Sequence, residues 1–94
     1  MSPELPALRQ DVYSCAAQFH GAMAKYFTAL KQQATQEDVA NLRRDARELG
    51  VDYNSALVAL LKHLKSLPHN TGIDREAEET ERTISLLSFG LRRL

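Results

Sequence analysis

Cysteine and histidine are the residues of this chain that could bind a metal or act as a nucleophile. The chain has one cysteine, Cys15, and three histidines, His20, His63 and His69. Metal ligands on one helix usually stand three or four residues apart, because that spacing puts them on the same side. Cys15 and His20 are five residues apart, and His63 and His69 are six apart with a proline between them. The spacing therefore predicts neither a metal site nor a cofactor.

Nucleophilic catalysis is the second chemistry that these residues could support. Cys15 stands in an apolar helical stripe, where cysteine behaves as a small hydrophobic residue, whereas a reactive thiolate needs electropositive surroundings. The pair His20-Gly21 resembles the phosphorylated histidine of phosphotransfer bundles. Those bundles carry a lysine just after the histidine, whereas Lys25 follows here after five residues. We therefore predict that the chain is not an enzyme.

A DNA-reading helix is a further possibility, because one segment matches the residue types around the turn of a helix-turn-helix motif: Ala46, Leu49, Gly50 and Val51. The reading helix would be 53–66, which is largely apolar. The nearby basic residues Arg43, Arg44 and Arg47 are interspersed with Asp45 and Glu48, and the formal net charge of the whole chain is zero. Phosphate binding needs a basic surplus on some face. We expect no nucleic-acid partner and keep DNA binding through residues 41–66 as the alternative function.

Composition indicates a small globular protein of a reducing compartment. The 94 residues suffice for one domain, 1–94, and 44% of them are hydrophobic while 26% are charged. A single cysteine cannot form an internal disulfide bond, which favours a cytoplasmic location. The sequence has neither a signal-peptide pattern nor a stretch of roughly 18 apolar residues that could span a membrane. We therefore expect no membrane partner.

Apolar residues three and four apart run through most of the chain and predict helices that bury one face. The first helix is predicted from Ser2-Pro3-Glu4 to about Leu30, with Gly21 marking a close helix crossing. Thr35 is predicted to cap the second helix, and Asp74 is predicted to cap the last one after the loop 68–72.

Gly50 leaves one architectural alternative open in the middle of the chain. A glycine followed by Asp52 is compatible with a helix end and a new start, but the apolar repeat keeps its phase from Leu49 to Tyr53. We favour one continuous helix over 36–67. For a continuous helix, Gly50→Ala is expected to raise stability by up to about 1 kcal/mol, and for a helix end to lower it.

The predicted fold is therefore an all-α bundle, in which a long antiparallel hairpin is followed by a C-terminal helix. Several apolar residues lie off the main stripes, and we expect a unit this small to leave them uncovered. We predict that they bind a partner protein or a second copy in a homodimer: Leu57, Val58, Leu61, Leu86, Phe89, Leu91 and Leu94. The predicted function is non-catalytic regulation, in which an apolar helical groove sequesters or chaperones another protein, as anti-activators, adaptors and small chaperones do.

Overall fold

Three helices make up the protein in its computed structural model, which describes residues 4–94. Helix α1 spans Glu4–Lys31, α2 spans Gln36–Ser66 and α3 spans Thr71–Arg93. The short connections make neighbouring helices antiparallel, and both α1 and α3 pack against the central helix α2. The predicted all-α bundle, a long hairpin plus a C-terminal helix, is confirmed, while the predicted dimer stays a prediction.

One of the two predicted helix caps is confirmed, and the other is formed by a different residue. Thr35 caps α2, since its Oγ1 accepts a hydrogen bond of 3.1 Å from the backbone N–H of Asp38. The cap of α3 is Asn70 rather than Asp74, because the Asn70 Oδ1 accepts from the N–H of Ile73 at 2.9 Å. Asp74 lies in the first turn instead, where its charge suits the helix dipole. The predicted opening residues Ser2 and Pro3 lie outside the described residues.

The turn between α1 and α2 is a Schellman-type helix end. The N–H of Ala34 donates to the carbonyl of Ala29 at 3.0 Å, and that of Gln33 donates to the carbonyl of Leu30 at 3.3 Å. Gln33 has a φ of 55°, the left-handed conformation that this motif requires at that position. The turn reverses the chain within a few residues, which places the last turn of α1 beside the first turn of α2.

Helix α2 is continuous from Gln36 to Ser66, as the phase of its apolar repeat predicted. A helix-turn-helix motif needs a turn near residue 50, and the structure has none there, so the alternative based on residues 41–66 loses its structural basis. Gly50 has no positive φ and is buried against two other helices. A Cβ atom on Gly50 would collide with Leu91 Cδ2 and would stand 2.9 Å from Phe19 Cε1.

The two mid-helix glycines therefore have roles that the sequence did not predict. For Gly50→Ala the structure favours a loss of stability over the expected gain, although the helix is continuous, because the missing side chain is what allows α1 and α3 to approach. Gly21 was predicted to mark a close crossing, but a Cβ atom there would meet no atom within 4 Å. The close approach thus occurs at Gly50 and not at Gly21.

The core lies where all three helices meet. Tyr53, Leu57 and Leu87 are its buried centre, and half-buried side chains from α1 and α3 surround them: Val12, Cys15, Ala16, Phe19, Ile84 and Leu91. Because α2 has a neighbour on two sides, it needs a wider apolar face than a single stripe provides. Leu57 was expected to be uncovered, but α3 covers it and leaves only 3% of it exposed.

The molecule is elongated, with principal extents of 51 × 23 × 15 Å. Helix α3 has 23 residues against 31 in α2, a difference of about 12 Å in length. Leu91, near the end of α3, already contacts the Gly50 position of α2. The turn end of the α1–α2 hairpin therefore extends beyond α3. No helix within residues 4–94 is long and apolar enough to cross a membrane.

Candidate protein-binding surfaces

The apolar residues predicted to bind a partner are divided between the core and the surface. Leu57 is in the core, and Leu91 packs against that core from α3. Leu61 and Leu94 are half-buried. The remaining three are exposed on the surface: Val58, Leu86 and Phe89. Binding through the exposed residues stays a prediction. Leu57 is buried within the bundle, so it is not available to a partner.

Leu86 and Phe89 form the outer surface of α3. Their side chains are 68% and 57% exposed, and they stand three residues apart on a helix whose other side packs on α2. The guanidinium of Arg93 lies over the Phe89 ring, with its Cζ 4.6 Å from the centroid. This surface is convex, so it suits a groove on another molecule rather than being a groove itself.

A concave surface lies at the turn end of the hairpin, and we call it the tip groove. It has a volume of about 350 Å³ and is lined by Leu30, Ala34, Gln36, Val39, Ala40 and Arg43. Leu30 is 47% exposed, and Phe27, one turn before it on α1, is 52% exposed. Two large apolar side chains thus remain open to solvent where the hairpin has no third helix.

The tip groove continues the seat on which α3 packs. On α1, residues at helical spacing lead from the core-packed Ala16 and Phe19 through Met23 to Leu30. On α2, the same spacing leads from Tyr53 through Gly50 and Ala46 to Val39. These rows are apolar beside α3 and remain largely apolar past its end. The apolar surface on which the hairpin packs a third helix is therefore longer than α3.

Sequence reasoning missed the tip groove, although two signals for it were present. One was the second apolar row of α1, which includes Met23, Phe27 and Leu30. The other was length, because the last predicted helix is shorter than the middle one by about ten residues. A shorter third helix must leave part of a long hairpin uncovered, and the residues in that part are candidates for binding.

A second cavity lies on the opposite face of the same end of the hairpin. It is larger, about 590 Å³, and its lining mixes small residues with polar ones: Ala24, Lys25, Thr28, Ala29, Gln32, Ala34, Asp38, Asn41 and Leu42. None of the strongly exposed large apolar side chains lines it. Its exposed surface is largely apolar, as in the tip groove, but it offers a partner no strongly exposed large apolar side chain.

A bidentate ion pair connects the two outer helices at the other end of the bundle. Arg9 of α1 donates two hydrogen bonds to Glu76 of α3, from Nε to Oε2 at 2.9 Å and from Nη2 to Oε1 at 2.6 Å. These bonds hold the pKa of the Glu76 carboxyl below its usual value, against the opposing effect of burial. The pair joins α1 to α3 and is structural in character.

The residues that could do chemistry are not assembled into a site. Within residues 4–94, no three His, Cys, Asp or Glu side chains come together in a way that could hold a metal ion. Each histidine has different neighbours: His20 contacts the rings of Phe19 and Tyr53, His63 pairs with Glu4, and His69 pairs with Asp74. Cys15 packs against the apolar core. Absence of catalysis stays a prediction.

Comparison with known proteins yielded no relative: no family model, no curated protein and no solved structure matches the chain.

Proposed function

We propose that the protein is a non-catalytic binding module, which regulates another protein by holding one of its helices in the tip groove. The observation that carries this proposal is the uncovered part of the helix seat. The rows of α1 and α2 that pack against α3 continue past its end to Leu30, which is exposed, and to Val39, which is half-buried. A partner helix placed there would extend the packing that α3 begins.

Sequestration follows from this mode of binding. An amphipathic helix buries its apolar face either within its own protein or against another one. When the tip groove covers that face, the partner helix is no longer available for pairing elsewhere. A partner whose activity needs that pairing is inhibited, and one that would otherwise aggregate is protected. Anti-activators, adaptors and small chaperones act in these ways.

Capture of partners from a native lysate, followed by mass spectrometry, tests the proposal when it is done with two variants. Leu30→Asp puts a charge into the tip groove and is expected to abolish capture. Val58→Asp is the matched control, because Val58 is exposed to nearly the same extent (46% against 47%) but lies on the part of α2 beside α3. Circular dichroism confirms that both variants are folded. If only Val58→Asp abolishes capture, the binding surface is on α2 and α3 and not in the tip groove.

Self-association is a separate proposal, supported by the outer surface of α3. Two copies that pair through Leu86 and Phe89 would bury the most exposed apolar side chains of that helix. Sedimentation equilibrium at micromolar concentrations then gives about twice the chain mass of 10.6 kDa. A mass of one chain throughout that range rules out the homodimer. A cytoplasmic location is also proposed, on the basis of the single unpaired cysteine.

A further inference from the structure

We infer that the tip groove binds an amphipathic helix whose apolar stripe is flanked by acidic residues. This inference rests on the proposed function, and it adds the chemistry of the partner. It comes from the charges around the groove, which the zero net charge of the whole chain conceals.

The two faces of the hairpin tip differ in charge. Arg43 lines the tip groove, and Arg47 follows it one turn later on the same side of α2. Two acids near these arginines in sequence, Asp38 and Asp45, line cavities on the opposite face of the hairpin, together with Lys25. Glu48 is exposed and lies about 140° round α2 from Arg43. The helical turn thus separates charges that are adjacent in sequence, and the groove side of α2 keeps a basic edge.

The helix ends at the tip are also basic. Lys31 is in the last turn of α1, and Arg92 is in the last turn of α3, the end that faces the tip. Among residues 4–94, neither Arg43 nor Arg47 forms an ion pair, and both are exposed. Glu37 and Asp38 are the acids adjacent in sequence to the groove lining, and both occupy the first turn of α2, where they suit the helix dipole.

This arrangement selects among possible occupants. A second copy of the tip would bring two basic edges together, which like-charge repulsion opposes. A nucleic acid would satisfy the arginines but would leave Leu30 and Val39 without apolar contacts. A helix with an apolar stripe and flanking Glu or Asp residues satisfies both features. The acidic flanks set the specificity and rate of binding, while the apolar stripe supplies most of the affinity.

Selection from a displayed library of 20-residue amphipathic helices tests the inference directly. Each library member carries an apolar stripe of varied residues, and each flanking position is randomised between Glu and Lys. Two baits are compared: the unchanged protein and the double variant Arg43→Glu/Arg47→Glu. We expect Glu at the flanking positions with the first bait and Lys with the second. A change of preference from Glu to Lys would show that the charges of these two side chains determine which partner helix binds.

Binding of the selected peptides is then measured by fluorescence anisotropy. The Glu-flanked peptide is expected to lose at least about threefold in affinity for the charge-reversed variant, which corresponds to two exposed charge pairs of modest strength. The loss should shrink as salt is raised, because exposed charges are screened. Arg75→Glu/Arg82→Glu is the matched control: it makes the same change in net charge on exposed parts of α3 and should leave the affinity unchanged.

The outcomes separate this inference from the function on which it rests. If the selected peptides bind regardless of their flanking charge but lose binding with Leu30→Asp, the groove is the binding site and the inference of an acidic partner is wrong. Failure to select any peptide that depends on Leu30 overturns both. Equal losses with the control variant would show a general effect of net charge and would also overturn the inference. Salt-sensitive binding of duplex DNA that requires Arg43 and Arg47, without any selected peptide, would replace the helix with a nucleic acid.

Discussion

The two halves of the α1–α2 hairpin differ in what covers the same two helix faces. In the covered half, from Gly50 to the end of α2, α3 packs over the hairpin, and residues such as Leu57 and Leu64 are buried. In the tip, between Gly50 and the turn, the corresponding rows end in Leu30 and Val39, which line an open groove. The comparison shows that the exposure of a large leucine depends here on the reach of α3, whereas the small Ala29 and Ala46 are buried in the tip as well.

The covered half is the part that stabilises the bundle. Leu64 is 1% exposed, whereas Leu30 in the tip is about half exposed. The energy gained by burying an apolar side chain grows with the area removed from water. If the tip groove binds a partner as proposed, changes in the tip should affect that partner without unfolding the protein.

The largest expected difference in stability is between two leucine-to-alanine variants, one in the covered half and one in the tip. Leu64→Ala should lower the free energy of unfolding by about 2–5 kcal/mol, because it leaves a cavity in a packed site. Leu30→Ala should lower it by less than about 1 kcal/mol, because its side chain is half in water. Urea denaturation of both variants measures the difference. Similar losses would mean that the tip is packed as tightly as the covered half.

The two mid-helix glycines give the next contrast. Gly50→Ala should lower stability by about 1–2 kcal/mol, since the clash with Leu91 and Phe19 outweighs the helix propensity of alanine. Gly21→Ala should raise stability by up to about 1 kcal/mol, because nothing stands near its Cβ position. Thermal melts of the two variants check the opposite signs. A gain at both positions would show that α3 does not approach Gly50 closely.

Acid should weaken the covered half through the Arg9–Glu76 pair. The folded protein holds the pKa of Glu76 below its ordinary value of 4.5, so the contribution of the pair is complete above that pH. It is lost as the pH falls through the lower, folded pKa. We expect a contribution of about 1 kcal/mol, since Arg9 is partly exposed.

Stability of the Glu76→Gln variant against pH measures this contribution. The variant should be less stable at neutral pH and should lose less on acidification. Glu81→Gln is the control, because the Lys65–Glu81 pair is more exposed on both sides. Its pH dependence should match that of the unchanged protein. An identical acid response of the Glu76 variant and the unchanged protein would show that the pair adds nothing.

The smallest effect on stability is expected for Phe89 on the outer surface of α3. Phe89→Ala removes an exposed ring and its contact with Arg93, which is worth less than about 1 kcal/mol at an exposed site. Helicity by circular dichroism should stay unchanged. If α3 is also an interface, the variant should dimerise or capture a partner less well, since aromatic side chains often dominate interfaces. Unfolding of the variant would place Phe89 in the core.

The helices themselves were predictable because their signals are local. The apolar repeat, the Thr35 cap and the breakers around Pro68 are all read within a few residues, and the repeat in phase across Gly50 correctly predicted a continuous α2. The charge separation at the tip is local too, because the positions of Arg43 and Asp45 on opposite sides follow from helical geometry. The sequence by itself thus determined the fold class and the three helices, although it placed the cap of α3 at Asp74 instead of Asn70.

Only the tertiary structure decided which apolar residues face a neighbour and which remain open. Leu57 and Leu86 both lie off the main stripes, yet α3 buries the first and exposes the second. The sequence indicated that Gly50 weakens a helix, but its missing side chain leaves room for Leu91 and Phe19 from the two other helices. The physical reason is that helix periodicity depends on residues three and four apart. Burial depends instead on where α3, distant in the chain, begins and ends against the hairpin.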